Sequence, residues 1–387
     1  MQTHPALARL GTESAFSVLA RAAELQAQGR DIINLGIGQP DFPTPENIVE
    51  AGIEALRDGH HGYTPAKGIL PLREVVAADI RARRGVEVSP ERIVVMPGGK
   101  PTMFFAITMF GQPGAEIVYP DPGFPIYRSM VEYTGATPVP VSPREEDGYG
   151  YRAADILSRL TPRTRLVILN SPNNPTGGVM TREETDALVT GLEDWPEVAI
   201  LSDEIYSRML YGGREHVSLL GYPSLKDRLI VLDGWSKTYA MTGWRLGYSV
   251  WPEALVDIAE RLCVNSHSCV NAATQQAGIE ALTGPQDAVA AMMQAFDRRR
   301  RLIVDLLNDL PGVRCPDPGG AFYVFPNIEG TGLDGRSLQT KLLEEAGVAT
   351  IAGASFGETA AENIRFSYAN SEDNIREAIG RMREVLA

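Results

Sequence analysis

Cysteine is scarce: Cys263, Cys269 and Cys315 are the only three in 387 residues, and no two of them form a CxxC pair. An odd, scattered set implies neither a disulfide framework nor a zinc site. It fits a reducing compartment with mostly buried thiols and no metal. Histidine is nearly as rare, with five residues and no HExxH pattern. Neither a GxGxxG fingerprint nor a GxxxxGK[ST] loop occurs, so dinucleotide and ATP readings lack their motif. No apolar run approaches a membrane span, "MFFAITMF" being far too short, so no membrane partner is expected. The start, "MQTHPALARLGTESAF", lacks a basic stretch followed by an apolar core. No secretory signal is evident, and a cytoplasmic location is the expectation. Positive charge is also in deficit, 36 Lys and Arg against 49 Asp and Glu, for a formal net charge of -13. That balance argues against a phosphate-backbone binder and so against a nucleic-acid partner. The local exception, "RRRR" at Arg298 to Arg301, reads as a solvated helical stretch whose side chains point around the cylinder.

What the chain does have is an ordinary globular composition, 44% hydrophobic and 22% charged. At this length one large domain plus a smaller one is the default. "RIVVMP" (92–97), "EIVYP" (116–120), "RLVILN" (165–170), "VAILSDE" (198–204) and "RLIVLDG" (228–234) read as strands ending in turn residues. Runs apolar on both faces imply parallel strands covered by helices on each side. Between them, segments such as "TREETDALVTGLED" (181–194) have acidic starts and helical spacing. The expected fold class is α/β, a three-layer αβα large domain with a mostly parallel sheet. After residue 250 a long helical stretch, roughly 286 to 309, leads into the short strands of "GGAFYVFP", "GVATIAG" and "NIRFSYA". These suggest a smaller α+β unit formed by both chain ends. The expected division is 46–286 for the large domain, with 1–45 and 287–387 making the small one.

Ligands of open α/β sheets bind beyond the carboxyl ends of the strands, so the residues following each strand matter most. "RIVVMP" is followed by "GGKPTMFFAITMF", two glycines and then a helix whose first turn offers free N–H groups. "RLVILN" leads into "SPNNPTGG"; "VAILS" is followed by Asp203 and Glu204, with Tyr206 near; "RLIVLDGWS" ends on Lys237. Taken singly, each has an ordinary alternative: a plain loop-to-helix turn, a helix cap at Asp203, an exposed Lys237. Together they suit one chemistry. A lysine forms a Schiff base with an aldehyde. An aldehyde on a pyridine ring needs its ring nitrogen kept protonated, which a buried carboxylate such as Asp203 does. Tyr206 and Asn174 would donate to its phenolic oxygen. The Gly98–Gly99–Lys100 turn would take its phosphate, with Arg245 closing over it. The cofactor with those groups is pyridoxal phosphate.

From about residue 14 to the end, the sequence resembles the class I/II aminotransferases, fold type I of the pyridoxal-phosphate enzymes, and their aspartate-aminotransferase-like members in particular. "SPNNPTG", "SDEIY" and "SKTYAMTGWRLGY" carry the resemblance, extended by "INLGIGQPDF", "GYTPAKG", "GGAFY" and "IRFSYANS". The resemblance implies that Lys237 is the Schiff-base lysine and later the acid and base of the proton shift. Asp203 matches the pyridine-nitrogen partner, and Asn174 and Tyr206 match the phenolic-oxygen donors. Phe124, in "PDPGFPIY", falls where the family stacks an aromatic ring on the cofactor; Arg245 matches the phosphate arginine, and Ser236 stands beside the lysine. Tyr63 matches a tyrosine that reaches the neighbouring subunit's phosphate, which implies a homodimer. Arg365 matches the clamp on the substrate α-carboxylate, with Asn174 and a backbone N–H of Gly38 beside it.

Three departures stand out. Gly234 replaces a serine common three residues before the lysine, removing one phosphate hydroxyl that Ser236 would have to replace. The phosphate turn reads "GGKPT", and Ala352 stands where proline is common. The expected reaction is amino transfer between an L-amino acid and a 2-oxo acid. The resemblance implies aspartate or glutamate first, because in the subgroup this chain looks most like the lysine of "GGK", here Lys100, reaches a distal carboxylate, a helix-end or phosphate role being its alternative; alanine and aromatic amino acids follow. The alternatives are another reaction of the same cofactor, such as β-elimination, and a non-enzymatic sensor built on the same fold.

Overall fold

The structure, a computed structural model, describes residues 1–12 and 14–387, without the side chains of residues 14 and 15. Its strands in chain order are β1 (Ile33–Asn34), β2 (Ile93–Met96), β3 (Glu116–Pro120), β4 (Thr137–Val141), β5 (Thr164–Asn170) and β6 (Ala199–Asp203). They continue with β7 (Leu229–Gly234), β8 (Gly247–Val250), β9 (Tyr323–Val324), β10 (Val348–Ala349), β11 (Ile351–Ala352) and β12 (Ile364–Ser367). Seven of them form one sheet in the order β2-β8-β7-β6-β5-β3-β4. Within it β8 alone runs against its neighbours, pairing antiparallel with both β2 and β7.

The double-sided burial of this sheet follows from the two-residue period of a strand. In β5, Val167 and Leu169 join one core while Leu166 and Ile168 join the other. In β7 the same alternation sends Leu229 and Val231 one way and Ile230 and Leu232 the other. The first core is closed by Leu72, Val76 and Ile80 of the helix Leu70–Arg84 and by Ala277 and Ala281 of Ala272–Thr283. The second is closed by the helices Lys100–Phe110, Ile126–Thr134 and Glu253–Ser266, through Ile107, Val131 and Ala259 among others. The result is the expected three-layer arrangement. All five strands read from the sequence are present; β4 and β8 were not among them. The sequence of β4, "TPVPV", has two prolines, which only an edge strand tolerates.

Both ends of the chain meet in a second body of structure. β1 pairs parallel with β10, and β11-β12-β9 form an antiparallel sheet. Ile33 and Leu35 share a core with Phe296, Ile303, Leu307, Phe366 and Ile375, and so do Tyr206, Met209 and Tyr211 from beyond β6. The loop that carries Tyr206 is therefore anchored in this second core. The arginine run requires a correction. Arg298 and Arg301 are exposed, but Arg300 is buried, held by Asp297 and Asp317 with its guanidinium 5.2 Å from the Tyr211 ring centroid. Arg299 pairs with Asp41 at 2.7 Å and lies 4.9 Å from the Phe42 ring. Half of the run is a seam between the helix Asp287–Asn308 and the segments packed on it, because that helix turns its inner face to them. Cys263 and Cys315 are buried and Cys269 partly so, all three as free thiols. No helix among the described residues is long and apolar enough to cross a membrane.

Candidate active site

A cavity of about 450 Å³ opens where β5, β6 and β7 end, roofed by residues 36–39 and by Tyr323, Phe356 and Arg365 from the second body. Of the residues expected to hold cofactor or substrate, all but Gly98 and Tyr63 line it. β6 delivers Asp203 as its last residue, and the turn after β7 delivers Lys237. Parallel pairing of the two strands, with Asp203 opposite Leu232, brings the carboxyl and the amine to the same sheet edge.

Asp203 is buried, 2% exposed. The Tyr127 hydroxyl donates to its Oδ2 at 2.7 Å, and the Ile205 N–H donates to Oδ1 at 3.2 Å. The second contact is the ordinary turn cap expected of a strand-end aspartate, so the capping and functional readings coexist in one side chain. Burial pushes the carboxyl up to about 7; the two hydrogen bonds work against that, and the nearby Asp233 and Glu204 charges add to it. A cation brought against this carboxyl would relieve the cost of ionising it.

Lys237 is half-buried, and its Nζ donates to the Gly38 carbonyl at 2.6 Å. Arg365, on β12, is buried rather than a surface ion-pair residue. Its Nη1 donates to Asn174 Oδ1 at 2.8 Å and its Nη2 to the Gly36 carbonyl at 2.5 Å. Asn174 is positioned in turn by its own N–H, which donates to Asn170 Oδ1 at 3.0 Å, and its bond to Pro175 is cis. Tyr206 is buried, with its hydroxyl 2.9 Å from that of Tyr323; burial foremost holds its proton on well above the usual phenol range.

At the far end, Gly98 has φ +84°, and a Cβ there would collide with the Arg245 guanidinium. Arg245 lies over this turn, exposed, its Nη2 donating to the Pro97 carbonyl at 3.3 Å and its Nη1 to Thr242 O at 2.8 Å. Gly99 precedes the helix Lys100–Phe110, which has Pro101 in its first turn, so the turn joins an arginine to the positive end of a helix. Ser236 lines the cavity, buried. Phe124 lies half-buried on the wall, edge-on to Tyr127, and the Lys100 ammonium sits 5.3 Å from the Phe124 ring centroid and 5.8 Å from that of Phe16. Tyr63 is 94% exposed and outside the cavity of its own chain.

Gly234 has a steric cause. It faces Gly247 across β7 and β8, and a Cβ there would stand 2.8 Å from the Gly247 Cα and 3.1 Å from the Leu246 carbonyl. A serine at this position would force the two strands apart. The sequence reading omitted Tyr127, Asn170 and Tyr323 as site residues, although each stood in a quoted motif: "PDPGFPIY", "RLVILN" and "GGAFY". Among the described residues no group of three His, Cys, Asp or Glu is placed to hold a metal ion.

The donor set fits pyridoxal phosphate. A buried carboxyl ready for a protonated ring nitrogen, an amine on the same cavity, and a glycine turn under an arginine are the three grips that cofactor needs. Comparison with known proteins agrees. The sequence profile described as aminotransferase class I and II matches residues 30–382. A relative described as a probable aspartate/prephenate aminotransferase, from Rhizobium leguminosarum bv. phaseoli, is 39% identical over 98% of this chain and 97% of its own. An aspartate aminotransferase from Geobacillus stearothermophilus is 37% identical over 98% of each. The solved structure of an aspartate aminotransferase from Thermus thermophilus with maleate superposes with a TM-score of 0.94 at 35% identity, covering 100% of both chains. With the family profile, the relatives and the solved fold all matching over almost its whole length, the chain belongs to the class I and II aminotransferases and is a pyridoxal-phosphate-dependent transaminase.

Proposed function

We propose that this transaminase takes L-aspartate or L-glutamate as amino donor, passes the amino group to a 2-oxo acid in a ping-pong cycle, and works as a cytoplasmic homodimer. The observation that carries the substrate choice is that, besides Lys237 and Arg245, which the cofactor would engage, two further cationic side chains, Arg365 and Lys100, stand on the wall of the same cavity. A dicarboxylic acid offers each of them a carboxylate. The names of the relatives, aspartate aminotransferases among them, support the same choice.

When bound, the cofactor supplies an aldehyde for covalent attachment and an electron-withdrawing ring. In this reading Lys237 Nζ would take the α-proton of the bound amino acid and return it on the far side of the amino nitrogen, two atoms from the carbon it left, an amine being a competent acid and base once its pKa nears neutrality. Asp203 holds the ring-nitrogen proton, with Tyr127 orienting its carboxyl. Tyr206 and Asn174 would donate to the phenolic oxygen, Phe124 would stack on the ring, and Gly98, Gly99, Ser236 and Arg245 would hold the phosphate. Arg365 grips the α-carboxylate, with Asn174 Oδ1 and the Gly36 carbonyl fixing the plane of its guanidinium, and Gly38 completes that grip. Tyr63, exposed in the single chain, would reach the phosphate of the neighbouring subunit. Residues 46–286 would act as the cofactor-holding domain and the two ends, 1–45 and 287–387, as the one that closes over it. The scarcity of cysteine and the free thiols support a reducing, cytoplasmic setting.

The test is a panel of amino donors against 2-oxoglutarate and oxaloacetate with the purified holoenzyme. Aspartate and glutamate are expected to give the highest kcat/KM. A clear preference for alanine or an aromatic donor would overturn the substrate choice, and ammonia release without an acceptor would overturn transfer as the main reaction.

A further inference from the structure

Tyr323 carries no assigned role in the transfer, yet it faces the same cavity as the residues that do. It lines the cavity from β9, is 1% exposed, and makes three contacts. Its hydroxyl is 2.9 Å from the Tyr206 hydroxyl. Its ring lies against the Arg365 guanidinium, at 4.5 Å from centroid to carbon, with the Phe356 ring 4.7 Å from the same carbon. Its hydroxyl also fills the space a side chain would take at residue 38, since a Cβ on Gly38 would stand 2.6 Å from it.

We propose that Tyr323 is a positioning residue that acts through its two neighbours: its hydroxyl donates to Tyr206, and its ring, with that of Phe356, is the platform on which Arg365 meets the substrate carboxylate. The first half follows from proton counting and rests on the reading that Tyr206 donates to the cofactor's phenolic oxygen. A phenol has one hydrogen to give. In the pair either oxygen can be the donor. Once Tyr206 spends its hydrogen on the cofactor, only Tyr323 can supply the hydrogen between the two phenols. A phenol that accepts a hydrogen bond becomes a better donor, so Tyr323 strengthens the bond Tyr206 makes. The second half follows from the ring. A guanidinium over a buried aromatic face is held electrostatically, so its plane is fixed before a carboxylate arrives.

Two substitutions separate the halves. Tyr323→Phe removes the hydroxyl and keeps the platform; Tyr323→Leu removes both. The first measurement is the pH midpoint of the bound cofactor's absorbance change, with no turnover. A hydrogen bond given to an oxyanion favours the ionised form, so weakening Tyr206 as a donor moves the midpoint up. Tyr323→Phe is expected to raise it by on the order of half a pH unit, and Tyr206→Phe by more. The double variant should match Tyr206→Phe alone, since Tyr323 acts through Tyr206. The second measurement is the dissociation constant of maleate, a dicarboxylate that cannot react. Tyr323→Phe should leave it within about threefold, while Tyr323→Leu weakens it by about tenfold or more.

A midpoint that stays or falls in Tyr323→Phe, while Tyr206→Phe still raises it, overturns the donor half and leaves the reading of Tyr206 intact. No change in Tyr206→Phe overturns that reading, and the donor half with it. Equal maleate affinity in all three proteins overturns the platform. If Tyr323→Leu does not fold, Gly38→Ala, whose methyl meets the same hydroxyl, takes its place: unchanged maleate affinity and an unchanged midpoint there would overturn both halves.

Discussion

Asp203→Asn, in the protein stripped of cofactor, is expected to remove a pH dependence of stability opposite in sign to the usual aspartate effect. Burial raises this carboxyl from 3.8 to about 7. Between those values the folded chain keeps a proton that the unfolded chain has released, so stability falls as pH rises. The gap of about 3 pH units, at about 1.4 kcal/mol each, amounts to about 4 kcal/mol, absent below pH ~4 and complete above pH ~7. Asparagine has nothing to ionise, and the Tyr127 hydroxyl can rotate to meet either end of the amide. The assay is urea unfolding of both apoproteins at pH 5 and pH 8, followed by tryptophan fluorescence. Over that interval the wild type should lose about 3 kcal/mol more than Asp203→Asn, the other titrating groups cancelling between the two proteins. Loading with pyridoxal phosphate should shrink the difference, because a cationic ring nitrogen compensates the buried charge. Identical pH dependence in the two apoproteins, or a wild type that gains stability relative to the variant, would refute the reasoning: Asp203 would then ionise freely without the cofactor.

Arg365→Ala is expected to lower kcat/KM for every amino acid tested by on the order of 10–100-fold, mainly through KM, since charge-assisted hydrogen bonds to the α-carboxylate are lost; steady-state kinetics across the donor panel checks it. Lys100→Ala should lower kcat/KM for aspartate and glutamate by about tenfold while leaving alanine nearly unchanged, and an equal loss on all donors would count against a grip on the distal carboxylate. Gly234→Ser should lower the melting temperature of apoprotein and holoprotein alike by several degrees, because the new Cβ meets the Gly247 backbone at 2.8 Å; tighter cofactor binding with no loss of stability would show that the strands separate easily.

The large sheet was legible because five of its strands are continuous apolar runs, which only strands covered on both faces produce. β4 was hidden by the prolines that its edge position permits, and β8 by its composition: "GYSV" interrupts the apolar run with a glycine and a serine, where β2, equally short, reads "IVVM". In the site, Asp203, Asn174 and Lys237 could be found because each follows its own strand, so local sequence already marks the sheet edge. Arg365 and Gly38 could not be brought together that way. They come from opposite ends of the chain, and nothing short-range links them except resemblance to a family. Tyr323 and Tyr206 meet across 117 residues, and two aromatic side chains in separate motifs give no sign of touching. The arginine run misled for a related reason. Charge alone reads as solvated surface, and only the packing of Asp317 and Tyr211 against the helix shows that Arg300 is inside. The glycine at 234 looked like a lost hydroxyl, whereas its role is set by a partner glycine on β8.

The central claim is that the amine of Lys237 carries the cofactor in the cavity that also holds Asp203. Borohydride reduction of the holoenzyme, followed by peptide mass analysis, tests it most directly. The expected result is one added pyridoxyl phosphate per chain on the peptide containing Lys237, and none on Lys237→Ala. An unchanged mass with the cofactor present, or an adduct on Lys100 or another lysine instead, would contradict it.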